Sequence, residues 1–301
     1  MKLKQEILEK IKDVIGKANV FEEEPMSEHT SMEVGGPAAY LFQPETAEDT
    51  AFLLKILKQE NYPFYIKGNG SNLIVHDEGY DGAIIEMMKM NRIEVSGTFV
   101  TAECGAMLKD ISAKAVEASL SGFEFASGIP GSLGGAITMN AGAYDGEMKD
   151  IVTEVTLMDK EGNVLTKKNE EMDFSYRHSL CSDGDYIVLK AEFQLAEGDS
   201  SEIQAKVDDL SARRKEKQPL EYPSCGSTFK RPEGYFAGKL ITDAGLKGYC
   251  HGGAAVSDKH AGFIINKDHA TAAEILELIS YVQEEVKEQF GVELKCEVKI
   301  I

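Results

Sequence analysis

The sequence predicts a mixed α+β protein built in two parts, on three observations. Amphipathic helical stripes and short apolar, strand-like runs are intermixed along the chain. The length, 301 residues, is that of about two domains. A polar stretch around Glu197 to Ser201 breaks the pattern where a boundary is expected.

Leu3, Ile7, Leu8, Ile11, Val14 and Ile15 recur at helical spacing and predict a first helix over 3–16. Thr46 and Asp49 resemble a capping box, opening a helix through Phe52, Leu53 and Leu57 that stops near Pro63. Phe64–Ile66, Leu73–Val75 and Ala83–Ile85 are short apolar runs of the buried-strand kind. Residues 107–119 predict another helix. Ser121 to Glu147 then carries seven glycines and almost no periodicity, so it reads as a long functional loop. Ile151–Met158 and Tyr186–Leu195 predict strands, with a turn at 160–163. Helices are expected over 201–215, which is charged, and 271–290, where Ile275, Leu278, Ile279, Val282 and Val286 form one stripe. Val292 to Ile301 alternates cleanly and predicts a closing strand.

With 51 acidic and 32 basic residues the net charge is −19, which repels nucleic-acid backbones and anionic membranes. A phosphate-bearing ligand then needs a local site of glycine amides or a few Arg and Lys side chains. The five cysteines, at 104, 181, 225, 250 and 296, form no C-x-x-C pair and fit a reducing compartment. The charged first 19 residues are not a signal peptide, and no apolar run reaches membrane-spanning length. The cytoplasm is the expected location, and no partner protein is implied.

Two glycine-rich segments invite a diphosphate. Gly68-Asn69-Gly70-Ser71-Asn72 follows a strand, and Gly128-Ile129-Pro130-Gly131-Ser132-Leu133-Gly134-Gly135 leads to Asn140-Ala141-Gly142. Glycine lets backbone amides turn inward and a ligand approach closely. Either loop alone reads more readily as a tight turn; together they favour a dinucleotide. No G-x-G-x-x-G leads from a strand into a helix, so the site is not a Rossmann one. Gly234 to Lys239 has the wrong spacing for a P-loop. The six scattered histidines give no metal set, and no serine elbow supports hydrolysis.

Nearly the whole chain resembles the UDP-N-acetylenolpyruvoylglucosamine reductase family, in its shorter second type. The resemblance rests on His29-Thr30-Ser31-Met32-Glu33-Val34-Gly35-Gly36-Pro37, on both glycine segments through Tyr144, and on Phe174-Ser175-Tyr176-Arg177-His178-Ser179. It continues through Pro223-Ser224-Cys225-Gly226-Ser227-Thr228-Phe229-Lys230-Arg231-Pro232 and Leu294-Lys295-Cys296-Glu297-Val298.

The resemblance implies an N-terminal lead-in (1–28), a two-part FAD-binding domain of the vanillyl-alcohol-oxidase type (29–196) and a smaller α+β substrate domain (197–301). FAD is the implied cofactor and NADPH the co-substrate. The implied reaction converts the enolpyruvyl ether of UDP-N-acetylglucosamine to UDP-N-acetylmuramate in peptidoglycan precursor synthesis.

Residue by residue, the resemblance makes Gly68, Asn69, Gly70, Ser71, Asn72, Gly128, Pro130, Gly131, Ser132, Gly135, Asn140 and Gly142 the FAD contacts. Ser227 is the implied proton donor, Arg177 the carboxylate partner and Glu297 the group near the enolate carbon. Tyr176, Arg231 and Lys239 are implied substrate contacts. On pattern alone Ser227 reads as a turn serine and Glu297 as part of a solvated strand face. The longer type's tyrosine insertion is missing between Leu180 and Asp185, so another group must cover the substrate diphosphate. The competing expectations are a sugar or alcohol oxidase of the same fold and a binding module without turnover.

Overall fold

A computed structural model describes residues 2–301. Its elements begin with α1 (Gln5–Ile15), β1 (Val20–Pro25), β2 (Pro37–Phe42), α2 (Ala47–Gln59), β3 (Phe64–Lys67), β4 (Leu73–Ile74) and β5 (Tyr80–Glu86). There follow β6 (Ile93–Ser96), β7 (Phe99–Glu103), α3 (Leu108–Glu117), β8 (Leu120–Ser121), α4 (Leu133–Thr138), β9 (Gly142–Ala143) and β10 (Gly146–Glu147). Next are β11 (Val152–Asp159), β12 (Val164–Lys168), β13 (Tyr186–Gln194), β14 (Ala196–Glu197) and α5 (Ser200–Lys217). The last are α6 (Ala237–Asp243), β15 (Cys250–His251), β16 (Ala254–Val256), β17 (Ile264–Asn266), α7 (Ala272–Phe290) and β18 (Lys299–Ile300).

Two compact units emerge, each discontinuous in sequence. The first takes residues up to Glu22, Tyr40–Asn69 and Gly82–Arg213; the second takes Glu23–Ala39, Gly70–Asp81 and Arg214–Ile301. A linear reading divides the chain at 28/29 and 196/197, whereas these units interleave.

In the first unit an antiparallel sheet runs β12-β11-β13-β7-β6. Alternate residues point to one face, so Val100, Ala102, Val155, Ala191 and Phe193 are all buried. Phe193 meets Phe123 edge-on at 5.3 Å, which fixes the approach of the residues leading into the second glycine segment. A further sheet has the order β1-β2-β5-β3, with β3 and β5 parallel. In α2, Thr46 accepts the Asp49 N–H at 3.0 Å as its cap signature implies.

The second unit packs α7 and α6 on the three-stranded antiparallel sheet β15-β16-β17, around Ile241, Val256, Ile264, Ile275, Leu278 and Val282. The expected α7 stripe is buried as read. The early segment Gly70–Asp81 belongs to this unit for two specific reasons. β4 pairs in parallel with β18, Leu73 opposite Lys299. The Asp77 carboxylate accepts the Ala272 and Ala273 N–H groups at 2.8 Å each, satisfying open amides at the start of α7.

Two expectations require correction. Ser121–Glu147 is no structureless loop: it holds α4 and the β9–β10 pair, elements too short to leave a periodic signature. Residues 292–301 are not one regular strand. Leu294 and Val298 are buried, as the alternation implies, but only Lys299–Ile300 is strand, because the segment changes neighbours midway. Phe229 is opposite Cys296, and Ile74 is opposite Ile300.

The start of α7 gives a test. Thr271 accepts the Glu274 N–H at 3.1 Å and the Glu274 carboxylate accepts the Thr271 N–H at 3.0 Å, a reciprocal cap. Thr271→Ala should lower the unfolding free energy by about 1 kcal/mol in urea titrations, with an unchanged denaturant slope.

Candidate active site

Strand β3 ends in Lys67, directly before the first glycine segment. Its ammonium is buried against the Glu86 carboxylate, opposite it in the β3–β5 register, and Gln43 donates to the same carboxylate at 2.6 Å. Burial pushes the Lys67 pKa down, against the pull of Glu86. The segment therefore leaves a fixed strand end.

In the first unit the two glycine segments meet. Asn69 Nδ2 donates to Pro130 O at 2.8 Å. A Cβ at position 68 would sit 2.2 Å from Ser132 Oγ, so only glycine fits this approach. The second segment is laced to the strand-to-helix turn before α3. Leu108 N donates to Gly131 O, Leu133 N to Ala106 O and Gly134 N to Cys104 O, at 2.7–3.1 Å. Ser132 occupies the N-cap of α4, yet its hydroxyl caps no helical amide. That hydroxyl is buried and has no hydrogen-bond partner within the chain. An orphaned buried hydroxyl costs about 1–3 kcal/mol unless a ligand satisfies it. Gly135, one turn into α4, faces open space. Around Ser132 the chain thus combines a close backbone approach at Gly68, an unpartnered hydroxyl and open space at Gly135, features that fit an anionic group such as a dinucleotide diphosphate.

Other expected contacts are used internally. The Asn140 carboxamide donates to Glu147 Oε2 at 2.8 Å and Ser175 O at 3.1 Å, and accepts from Lys149 N at 3.0 Å. A Cβ at Gly142 would collide with Glu147 and with Gly146 O at 2.7 Å, so the β9–β10 pairing itself demands glycine there. Gly70, Ser71 and Asn72 belong to the second unit, where Gly70 O accepts the Ser31 N–H at 3.1 Å.

Asn140 also braces the turn that carries Tyr176 and Arg177. Ser175 and His178 exchange both main-chain hydrogen bonds at 3.1 Å, putting Tyr176 and Arg177 at the tip. Arg177 adopts φ +55°, strained for a non-glycine residue, and its guanidinium lies 5.1 Å from the Tyr176 ring centre. Hydrogen bonding from Lys149, then from Asn140, and the Arg177 charge hold the Glu147 carboxyl below its usual range. Arg177 is thus a cation presented at the apex of a braced turn.

In the second unit Gly226 turns left-handed at φ +73° and Ser227 follows, half-buried. The loop is pinned on both sides: Asn266 N donates to Pro223 O at 2.9 Å, Thr228 N to Gly262 O at 2.9 Å and Ile264 N to Thr228 Oγ1 at 3.1 Å. Residues 228–230 run antiparallel to 295–297. Glu297 N donates to Thr228 O at 2.8 Å and Lys230 N to Lys295 O at 2.8 Å. The structure therefore brings the Ser227 loop and Glu297 onto adjacent segments. Glu297 is half-buried, whereas Glu293, Lys295 and Lys299 on the same alternation are exposed. Arg231 stacks its guanidinium 3.9 Å from the Phe236 ring centre, and Lys239 is paired with Asp243 at 2.7 Å on an exposed face of α6. Among the described residues, no cluster of His, Cys, Asp and Glu could hold a metal ion, and no helix is long and apolar enough to cross a membrane.

The first unit offers a glycine-lined approach with an unpartnered buried hydroxyl and an arginine at a turn apex, and the second unit runs the Ser227 loop alongside the segment of Glu297. Comparison with known proteins gives the class, a flavin-dependent oxidoreductase. Residues 38–167 match the model of an FAD binding domain, and residues 218–301 match the C-terminal domain of UDP-N-acetylenolpyruvoylglucosamine reductase. The UDP-N-acetylenolpyruvoylglucosamine reductase of Caldanaerobacter subterraneus subsp. tengcongensis is 51% identical over 295 residues, covering 98% of each chain. That of Clostridium perfringens (strain SM101 / Type A) is 53% identical over 277 residues, covering 92% of this chain and 91% of its own. The crystal structure of the Thermus caldophilus enzyme superposes with a TM-score of 0.79 at 34% identity, over 92% of this chain and 97% of that one. An alkyldihydroxyacetonephosphate synthase shares the fold alone, with a TM-score of 0.51 at 18% identity, over 65% of this chain and 41% of that one.

The chain belongs to the UDP-N-acetylenolpyruvoylglucosamine reductase family. It is an FAD-dependent oxidoreductase that reduces the enolpyruvyl nucleotide sugar to UDP-N-acetylmuramate for peptidoglycan synthesis, with NADPH as reductant.

The thiols beside this machinery give a prediction. Burial pushes Cys104, Cys181 and Cys225 up to about 12 from 9.0. Native protein at neutral pH should therefore react with a thiol reagent first at exposed Cys250, and at these three only after unfolding. Because their folded pKa lies above the unfolded value, their stabilising contribution is complete below pH 9.0 and is lost as pH rises toward about 12. Urea midpoints should fall with rising pH in that window, and fall less steeply in Cys225→Ala.

Proposed function

We propose that Ser227, Glu297 and Arg177 carry the proton and charge handling of the reduction. Bound FAD would supply hydride-transfer chemistry between NADPH and the methylene carbon of the enolpyruvate. The adjacent carbon and its carboxylate then hold negative charge, and the chain must stabilise that charge and supply a proton.

Arg177 binds the carboxylate. Its planar fork suits two oxygens, and the braced turn keeps the guanidinium from having to be ordered at the moment of reaction. Glu297 lies against the developing enolate, a role in which its carboxyl must carry or share a proton. Ser227 protonates the carbon: its O–H bond breaks, the new C–H bond forms, and the serine oxygen regains a proton from solvent. The observation that carries this reading is the 2.8 Å hydrogen bond from Glu297 N to Thr228 O, which sets Glu297 beside the residue following Ser227.

Gly68, Asn69, Gly128, Pro130, Gly131, Ser132 and Gly135 would hold the FAD diphosphate, with the Ser132 hydroxyl donating to it. Arg231 and Lys239 would take the substrate diphosphate, Lys239 exchanging its Asp243 partner, and Tyr176 would be a further substrate contact; an exposed ion pair is readily exchanged.

The enzyme works in the cytoplasm, without nucleic-acid or membrane partners. Support comes from the five unpaired thiols and from the net charge of −19.

The experiment follows flavin absorbance under anaerobic conditions. NADPH should bleach the flavin bands, and the enolpyruvyl nucleotide sugar should restore them. Ser227→Ala should bleach normally, but product should form on the order of 10²–10⁴-fold more slowly. Normal product formation by that variant would remove Ser227 from the acid role.

A further inference from the structure

Asn72 has a connection that a flavin-contact role does not use. Its Nδ2 donates to Glu297 O at 3.1 Å, and its own carbonyl accepts the Lys299 N–H at 3.0 Å. Both residues belong to the second unit. The pairing then continues along β4 and β18, with Ile301 N donating to Ile74 O at 3.1 Å and His76 N to Ile301 O at 2.9 Å.

Glu297 sits where the segment changes partners. On one flank its N–H is held by Thr228 O, and on the other its C=O is held by Asn72. At this rung a side-chain amide, rather than a main-chain N–H, reaches across. Asparagine suits the place because it is short, stiff and carries a neutral donor. Aspartate has the same shape but would turn an oxygen toward the Glu297 carbonyl.

We infer that Asn72 is a positioning residue for Glu297: it locks the main chain at residue 297 and so aims the carboxyl during the product-forming step. The inference rests on the proposed role of Glu297. It assigns Asn72 an action through the C-terminal segment, where the sequence suggested contact with FAD.

The two roles separate by half-reaction. Asn72→Ala and the isosteric Asn72→Asp would be prepared as holoenzyme beside Asn72→Gln and Glu297→Gln. Stopped-flow would time flavin bleaching by NADPH and flavin recovery with the enolpyruvyl nucleotide sugar across pH, and titration would give the FAD affinity. In the Ala and Asp variants, bleaching and FAD affinity should stay within about twofold, while recovery slows on the order of 10–100-fold and its pH profile shifts. Asn72→Gln, which keeps a donor, should recover part of that loss.

Should Asn72→Ala fail to fold, Asn72→Asp carries the same comparison. Weakened FAD binding, or equal slowing of both half-reactions, would make Asn72 a flavin contact or a purely structural residue and overturn the inference. Normal recovery in the Asn72 variants with lost recovery in Glu297→Gln would also overturn it, leaving the Glu297 role intact. Normal recovery in Glu297→Gln would instead remove the reading on which it rests.

Discussion

The second unit depends on the pairing of residues 72–76 with residues 297–301. A short parallel pair contributes little energy alone. Here it closes a core in which Met32, Ile74, Cys225 and Phe229 pack with α6 and α7. Each early segment is tied again at a distinct point: Asn266 Nδ2 donates to Met32 O at 3.1 Å, Cys225 Sγ to Leu73 O at 3.4 Å, and Asp77 caps α7. The Ser227 loop and Glu297 inherit their order from this lacing. A serine hydroxyl is a weak acid, so the role proposed for Ser227 depends on its being held in place rather than on its own acidity.

The flavin site proposed in the first unit poses a different problem, that of presenting amides and one hydroxyl to an anion without a long helix. α4 has six residues, from Leu133 to Thr138, and the turns before it do most of the shaping. Gly68 allows the strand end to meet Ser132, and the backbone of residues 104–108 holds the second segment in register. The cost is a buried hydroxyl with no partner in the chain, a defect that a bound diphosphate would relieve.

Much of this was legible in the sequence. The α7 stripe, the Thr46 cap of α2 and the β11 and β13 runs follow from local periodicity and turn chemistry. Others left no local mark. α4, β9 and β10 are too short for a period. The exchange of partners in residues 292–301 depends on segments far away, so an alternating pattern looked like one strand. The role proposed for Glu297 comes only from family resemblance, because its neighbours Lys295 and Lys299 make the alternation read as a solvated face. Packing and binding favour the same residue types in glycine-rich loops, so the bracing of the Arg177 turn by Asn140 and the demand of the β9–β10 pairing for Gly142 are visible only in three dimensions.

The interleaved path also sets an order of assembly. Asn72 and its partner Glu297 are separated by 225 residues. During synthesis β4 is made long before β18 exists, so its strand edge and the apolar side chains of Met32, Val34 and Ile74 wait without their partners. Such non-local closure is slow. Until nearly the whole chain has been made, the cell holds a partly folded flavoprotein with an open strand edge, the kind of surface that chaperones bind and that aggregation exploits.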